Sequence, residues 1–203
     1  MRRVVGLAVA VVAAMALGRA VTELLPVDQV DVKPFVRTGV VGKPVHLSYA
    51  DVTVSHVLVA RRLYGADPVK AAGRFLVLDL RLRASRESTF LQGFDLYDAQ
   101  GRRYAPMSRG ASCAEVTTAP TGVPWWVRVC FDVPRSALAG AHVVVARGPY
   151  DVDGSGQRRD DQARVDIGIS DADATRLWAK DVAYDGYQDG FGPVSTTPTK
   201  ESK

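Results

Sequence analysis

Between Arg74 and Arg83 every second residue is a leucine: Leu76, Leu78, Leu80 and Leu82 share one parity, while Asp79, Arg81 and Arg83 share the other. Successive side chains of a strand point to opposite faces, so this pattern predicts a strand with one side in a core and one side wet, as antiparallel sheets allow. The stretch from Asp51 to Arg62 reads the same way, with Val52, Val54, Leu58 and Ala60 expected on one face. Val165, Ile167 and Ile169 alternate with Arg164, Asp166 and Gly168. Further short strands are predicted at Pro44 to Tyr49, Phe90 to Tyr97, Arg103 to Ala105, Ala111 to Thr117, Trp125 to Asp132 and His142 to Arg147.

Turn-forming runs such as Asp98-Ala99-Gln100-Gly101, Ala119-Pro120-Thr121-Gly122 and Ala139-Gly140 separate these segments. Many short strands with little helix predict an all-β chain folded as a two-sheet antiparallel sandwich. The sandwich is expected over residues 42–170. Asp171-Ala172-Asp173 marks a helix start, with Ala174 to Val182 forming about two turns and Leu177 and Trp178 packing back on the sheets, a short helix within 171–183. Residues 184–203, rich in Gly, Pro, Ser, Thr and Lys, are expected to be a disordered tail.

The N-terminal region breaks the strand pattern. Arg2-Arg3 precede an apolar run from Val4 to Leu17, ended by Gly18-Arg19-Ala20. A basic start followed by an uncharged apolar stretch of this length is the layout of a secretory leader, and residues 1–21 are expected to be a signal peptide or a retained signal anchor. Apolar residues resume at Val21 and Leu24-Leu25, which keeps both outcomes open. The basic end should stay inside and the remainder go out. Residues 22–41, with Pro26 and Pro34 and no sustained period, read as a spacer.

This segment also accounts for the charge. The chain has 26 Lys and Arg against 22 Asp and Glu, but Arg2, Arg3 and Arg19 belong to the leader, which leaves 23 against 22. A near-neutral folded part gives a nucleic-acid partner no electrostatic support. Export puts the two cysteines, Cys113 and Cys130, where a disulfide persists, and they are expected to be bridged. In Trp125-Trp126-Val127-Arg128-Val129-Cys130-Phe131-Asp132 the parity of Trp125, Val127, Val129 and Phe131 faces the core. Cys130 then points outward, so the bridge should staple the outer face and not join the two sheets.

Candidate chemistry is sparse. Asp151-Val152-Asp153-Gly154-Ser155-Gly156 begins like a calcium loop, with oxygen ligands on Asp151, Asp153 and Ser155 and a glycine at the sixth position. The twelfth position is Gln162 where a bidentate glutamate belongs, and Arg158 and Arg159 intrude, so a solvated hairpin loop is the expectation. Arg81, Arg83 and Arg86 with Arg102, Arg103 and Arg109 offer a basic patch, and Trp126 an aromatic platform on the outer face. Ser108, Ser112 and Ser136 lack a nucleophile setting, the three histidines lack partners, and no cofactor is implied.

One ordering of segments stands out: Gly42-Lys43-Pro44, the Gly73 to Leu80 strand, Phe94-Asp95-Leu96-Tyr97-Asp98 leading to Gly101 and Tyr104, then Phe131-Asp132-Val133-Pro134. Across residues 38 to 170 this order resembles actinobacterial extracytoplasmic immunoglobulin-like domain proteins, among them secreted mycobacterial antigen-type sandwiches. The resemblance implies an immunoglobulin-like fold, with no catalytic residue and no ligand to carry over. The cysteine pair and the tail after Ser170 are not part of that pattern. The expected role is a non-catalytic interaction or scaffold module outside the cytoplasm. It would meet the cell membrane through its N-terminal segment and bind an envelope protein or polymer; a small-ligand or calcium-binding module is the alternative.

Overall fold

In the computed structural model, which describes residues 2–24, 34–64, 69–107, 113–150, 156–157, 160–185 and 192–193, the leucines at 76, 78, 80 and 82 are fully buried on one face of a long strand. The chain divides into two compact units, Met1–Lys33 and Pro34–Lys203. The first holds α1 (Arg2–Leu24), 23 residues long and coincident with the leader pattern. Its described side chains, Gly6 and residues 11–21, are exposed. Among the described residues no helix is long and apolar enough to cross a membrane.

The second unit is the sandwich. Its strands are β1 (Val36–Val40), β2 (Val45–His46), β3 (Ala50–Tyr64), β4 (Val69–Ala84), β5 (Thr89–Leu91), β6 (Gly93–Tyr97), β7 (Arg103–Tyr104) and β8 (Thr117–Ala119). They continue with β9 (Trp125–Val133), β10 (His142–Ala146), β11 (Gln162–Asp166), β12 (Ala183–Asp185) and β13 (Gly192–Pro193). One sheet runs β1-β11-β10-β6-β7; the other runs β12-β3-β4-β9-β13 with β2 on β3; β5 and β8 form a separate ribbon. Within the two large sheets the pairings are antiparallel apart from β1 on β11 and β12 on β3.

The inner faces carry the alternating residues read from the sequence. Leu76, Leu78, Leu80 and Leu82 join Val127, Val129 and Phe131 on one sheet and meet Phe94, Leu96, Val143, Val145, Ala163 and Val165 of the other. Burying each such side chain stabilises the fold by about 1.5–3 kcal/mol.

One parity expectation fails in β3. Val52 and Val54 are in the core as expected, but Leu58 and Ala60 belong to the opposite face, and Val59 takes the inward position. The register explains it: Val54 pairs with Leu80 and His56 with Asp79, so an extra residue is inserted at Ser55. A bulge of one residue reverses the face of everything beyond it. The Ser55 hydroxyl donates to the Asp79 carbonyl, 2.8 Å away, and occupies that break in the ladder.

Three boundaries also differ from the sequence reading. The segment taken as spacer contributes β1, whose backbone finds partners on β11. Within Ala111 to Thr117 the described residues from Cys113 to Val116 are not a strand, and β8 begins at Thr117. The segment taken as tail contributes two short pairings, Ala183–Asp185 on β3 and Gly192–Pro193 on β9. The C-terminal helix α2 (Asp171–Ala179) starts where the sequence marks it, because Ser170 caps it with its hydroxyl accepting from the Asp173 amide at 3.2 Å, and it ends at Ala179, short of Val182. Leu177 and Trp178 pack on the core, and Arg74 lies over the Trp178 ring at 5.1 Å.

Candidate functional site

The outer face of the β1-β11-β10-β6-β7 sheet gathers most of the unusual polar chemistry of the described residues. Strand register sets it out in rungs. One rung is Val40, Asp166, His142, Tyr97 and Arg103; the next is Thr38, Arg164, Val144 and Asp95. These side chains share a face because the inner positions of the same strands, Val143, Val145, Ala163, Val165, Phe94 and Leu96, are committed to the core.

Half of this face is closed over. The β10–β11 connection sends Tyr150 and Gln157 back onto it: the Tyr150 ring lies 4.1 Å from the Arg103 guanidinium, and the Gln157 amide donates to Asp95 Oδ2. Arg103 Nη1 holds Asp95 Oδ1 at 2.7 Å. Asp95 is therefore a buried carboxylate with two partners. Burial pushes its pKa up, against the opposing pull of Arg103 and Gln157. Tyr97 is raised by burial and by the neighbouring Asp95 charge. Gly93, one position before the Phe94-Asp95 segment, admits no side chain, since a Cβ would run into the Gly148 carbonyl and Ala146.

The other half is open. The His142 ring stacks on Tyr97 with centroids 5.5 Å apart and planes 10° apart. Burial, followed by the Arg164 charge, lowers the His142 pKa below its ordinary 6.5, so the ring is neutral at pH 7. Beside it opens a cleft of about 610 Å³, lined by Thr38, Val40, Lys43, His142, Arg164 and Asp166, with Gly39, Pro44 and Gly140 completing the wall. That volume lies in the range of small-molecule sites. Asp166 accepts from the Gly168 amide at 2.8 Å, which fixes its carboxylate at the rim.

Against this geometry the residues singled out in the sequence fall in several places. Arg103 belongs to the face through Asp95. Arg102 is engaged next to it, its Nε 2.6 Å from Asp98 Oδ2, in the β6–β7 turn where Gly101 takes a left-handed φ of 77°. Arg81 and Arg83 stand on β4 in the other sheet, so the arginines considered as one patch divide between two sheets; Arg109 lies outside the described residues. Trp126 is half-buried on the outer face of that second sheet, paired across strands with Arg81 and Gly192. Asp151, Asp153 and Ser155 lie outside the described residues.

Cys113 and Cys130 are bonded, with Cα atoms 5.5 Å apart. Cys130 points away from the core as its parity requires, yet it is fully buried. It joins Cys113, Ala60, Leu63, Phe75 and Val77 in a second, smaller apolar cluster, with Leu58, Ala71 and Met107 packed around it. Met107 and Ala114 are tied to β9 by Met107 N to Cys130 O at 2.9 Å and Ala114 N to Arg128 O at 2.8 Å. Alongside, the Arg128 guanidinium, almost wholly buried, bonds Asp79 through Nε to Oδ1 at 2.6 Å, and His56 Nδ1 stands 3.6 Å from Oδ2.

His142, Tyr97, Lys43, Arg164 and Asp95 were not singled out as site residues in the sequence. The alternation in Gln162 to Asp166 marks Arg164 as facing outward, whereas His142 to Ala146, with three valines in a row, has none. Neither segment tells that β1, β11, β10 and β6 lie side by side.

Neither a protein-family model nor a curated protein matches the chain. Among solved structures it is similar to the yjhA protein of Bacillus subtilis, at 15% identity over 63% of this chain and 99% of that one, with a TM-score of 0.46. A secreted protein of Mycobacterium tuberculosis, MPT63, gives 18% identity over 67% and 99%, with a TM-score of 0.46. An uncharacterised β-sandwich protein of Clostridium difficile gives 10% identity over 66% and 96%, with a TM-score of 0.40. The sandwich assignment rests on the strand pairing described above.

Proposed function

We propose that the chain is a non-catalytic, immunoglobulin-like binding module that works outside the cytoplasm, delivered by its N-terminal segment. It engages a component of the cell envelope through the outer face of the β1-β11-β10-β6-β7 sheet. The observation that carries the reading is the Cys113–Cys130 disulfide, because its two sulfurs sit inside an apolar cluster that the bond itself helps to close. Such a bond persists in oxidising compartments and is rare where glutathione and thioredoxin keep thiols reduced. The basic start and apolar run of α1 supply the route. Kinship with the actinobacterial domains that the sequence resembles is part of the same proposal.

What supports the non-catalytic part of the proposal is the use to which the carboxylates are put. Asp95, Asp98 and Asp79 are each taken up by arginine partners, and Asp161 accepts from the Ser48 amide at 2.9 Å. These carboxylates hold turns and faces together. The test is a pair of reporter fusions after Lys203. A phosphatase that matures only outside the cytoplasm should be active, and a reporter that functions only inside should be silent; the reverse pair overturns the proposal. N-terminal sequencing of the exported protein reads the fate of α1: a start near Leu17 or Val21 marks removal, and a start at Met1 marks retention.

A further inference from the structure

The open half of the candidate face carries two cations, Lys43 and Arg164, and one carboxylate, Asp166. Lys43 and Arg164 line the same cleft, and neither side chain makes an ion pair or hydrogen bond among the described residues. The neighbouring arginines behave differently, with Arg37 on Asp161, Arg103 on Asp95 and Arg147 shared between Glu87 and Asp160. Two cations against one carboxylate leave the cleft with an excess of positive charge, an attractive field for an anion. The cleft also offers polar groups that an anion alone would not use. Asp166 is a fixed acceptor, Thr38 has a hydroxyl, and neutral His142 has one nitrogen that donates and one that accepts. Val40 and Pro44 add apolar surface at the wall.

We infer that this cleft binds a small hydroxyl-bearing anion, an acidic or phosphorylated sugar. Lys43 and Arg164 hold the carboxylate or phosphate, and Asp166, Thr38 and His142 take the hydroxyls. Arg164 presents the planar fork that pairs with either anion, and Lys43 adds a point charge that does not depend on angle. Apolar C–H surface of a sugar ring fits against Val40 and Pro44. The inference rests on the binding-module reading and names its ligand class, while that reading's own test, the compartment, is independent of it.

The experiment is calorimetric titration of the full-length oxidised protein in detergent with glucuronate, glucose 6-phosphate, glucose and inorganic phosphate. The two charged sugars should bind, glucose should not, and inorganic phosphate should bind at least about tenfold more weakly than glucose 6-phosphate. The double variant Lys43→Gln/Arg164→Gln should lose about tenfold or more in affinity for both charged sugars, while Arg81→Gln on the other sheet should match the parent. Carbon-13 labelled histidine should show a ligand-dependent shift at His142 and none at His56. Absence of binding at millimolar concentration, full retention of affinity in the double variant, or phosphate binding as tightly as its sugar ester would each overturn the inference. Such a failure with the reporter fusions still reading outside leaves the compartment proposal in place and removes the ligand.

Discussion

Cys130 faces away from the sandwich core and is nonetheless fully buried, because Cys113, bonded to it, and Met107 close over it together with Ala60, Leu63, Phe75 and Val77. The bridge closes a loop of sequence separation 17, which corresponds to about 3 kcal/mol from the lost freedom of the unfolded chain. Replacing both cysteines by alanine is expected to lower the melting midpoint by roughly 6–12 °C, at about 2–4 °C per kcal/mol for a domain of this size. Thermal unfolding followed by circular dichroism checks it. An unchanged midpoint would show that the Met107 and Ala114 bonds to β9 hold Cys113 in place without the disulfide.

The bulge at Ser55 predicts an inverted pair of sensitivities. Val59 is inside the main core and Leu58 at the border of the smaller cluster. Val59→Ala should therefore cost roughly 2 kcal/mol, and Leu58→Ala less despite removing more atoms. Urea unfolding of the two variants distinguishes this from a regular strand, in which Leu58 would be the costly position.

Asp79, partly exposed, and Arg128, almost wholly buried, make a charge pair on the outer face of the six-stranded sheet. Removing the acid partner of a desolvated guanidinium costs about 3–5 kcal/mol, whereas replacing both partners by apolar residues costs far less. Asp79→Ala should be strongly destabilising, and Asp79→Leu/Arg128→Met should recover most of the loss. Equal costs for the single and double variants would contradict the pairing.

Asp98 sets an acid limb. Burial works to raise its pKa, but bonds from the Arg102 and Gln100 amides and the Arg102 side chain outweigh it, and the group lies below its ordinary 3.8. A carboxyl with a lower folded pKa binds its proton more tightly when the chain is unfolded. Its contribution is therefore complete above the ordinary value and is lost as pH falls through the folded one. Asp98→Asn should flatten the decline of stability below about pH 4, measured as urea midpoints at pH 5, 4, 3 and 2. A parallel decline in both proteins would show that Asp98 is not the group responsible.

How much of this was legible beforehand follows from what sequence alternation encodes. The faces of β4, β9 and β11 were readable because their core-facing residues keep period two between the turns. The far half of β3 was not, because a bulge is set by pairing with β4 and leaves no mark stronger than Ser55 itself. β1 was missed for a related reason: Val36-Arg37-Thr38-Gly39-Val40 has apolar residues that stay half exposed at a sheet edge, and its partner β11 lies more than a hundred residues away. The cysteine pair could be proposed from compartment and parity together, but its burial could not, since the cover comes from residues beyond the strand. The cleft was invisible because Lys43, His142 and Arg164 come from three separate segments, which only the order β1-β11-β10 brings together.

The central claim, an oxidised module working outside the cytoplasm, is tested most directly by trapping thiols in intact cells with a membrane-permeant alkylating agent, denaturing, and weighing the protein. The account predicts a mass with no alkyl groups on Cys113 or Cys130 and two protons lighter than the dithiol form. A protein carrying two alkyl groups, recovered from the cytoplasmic fraction, would contradict it.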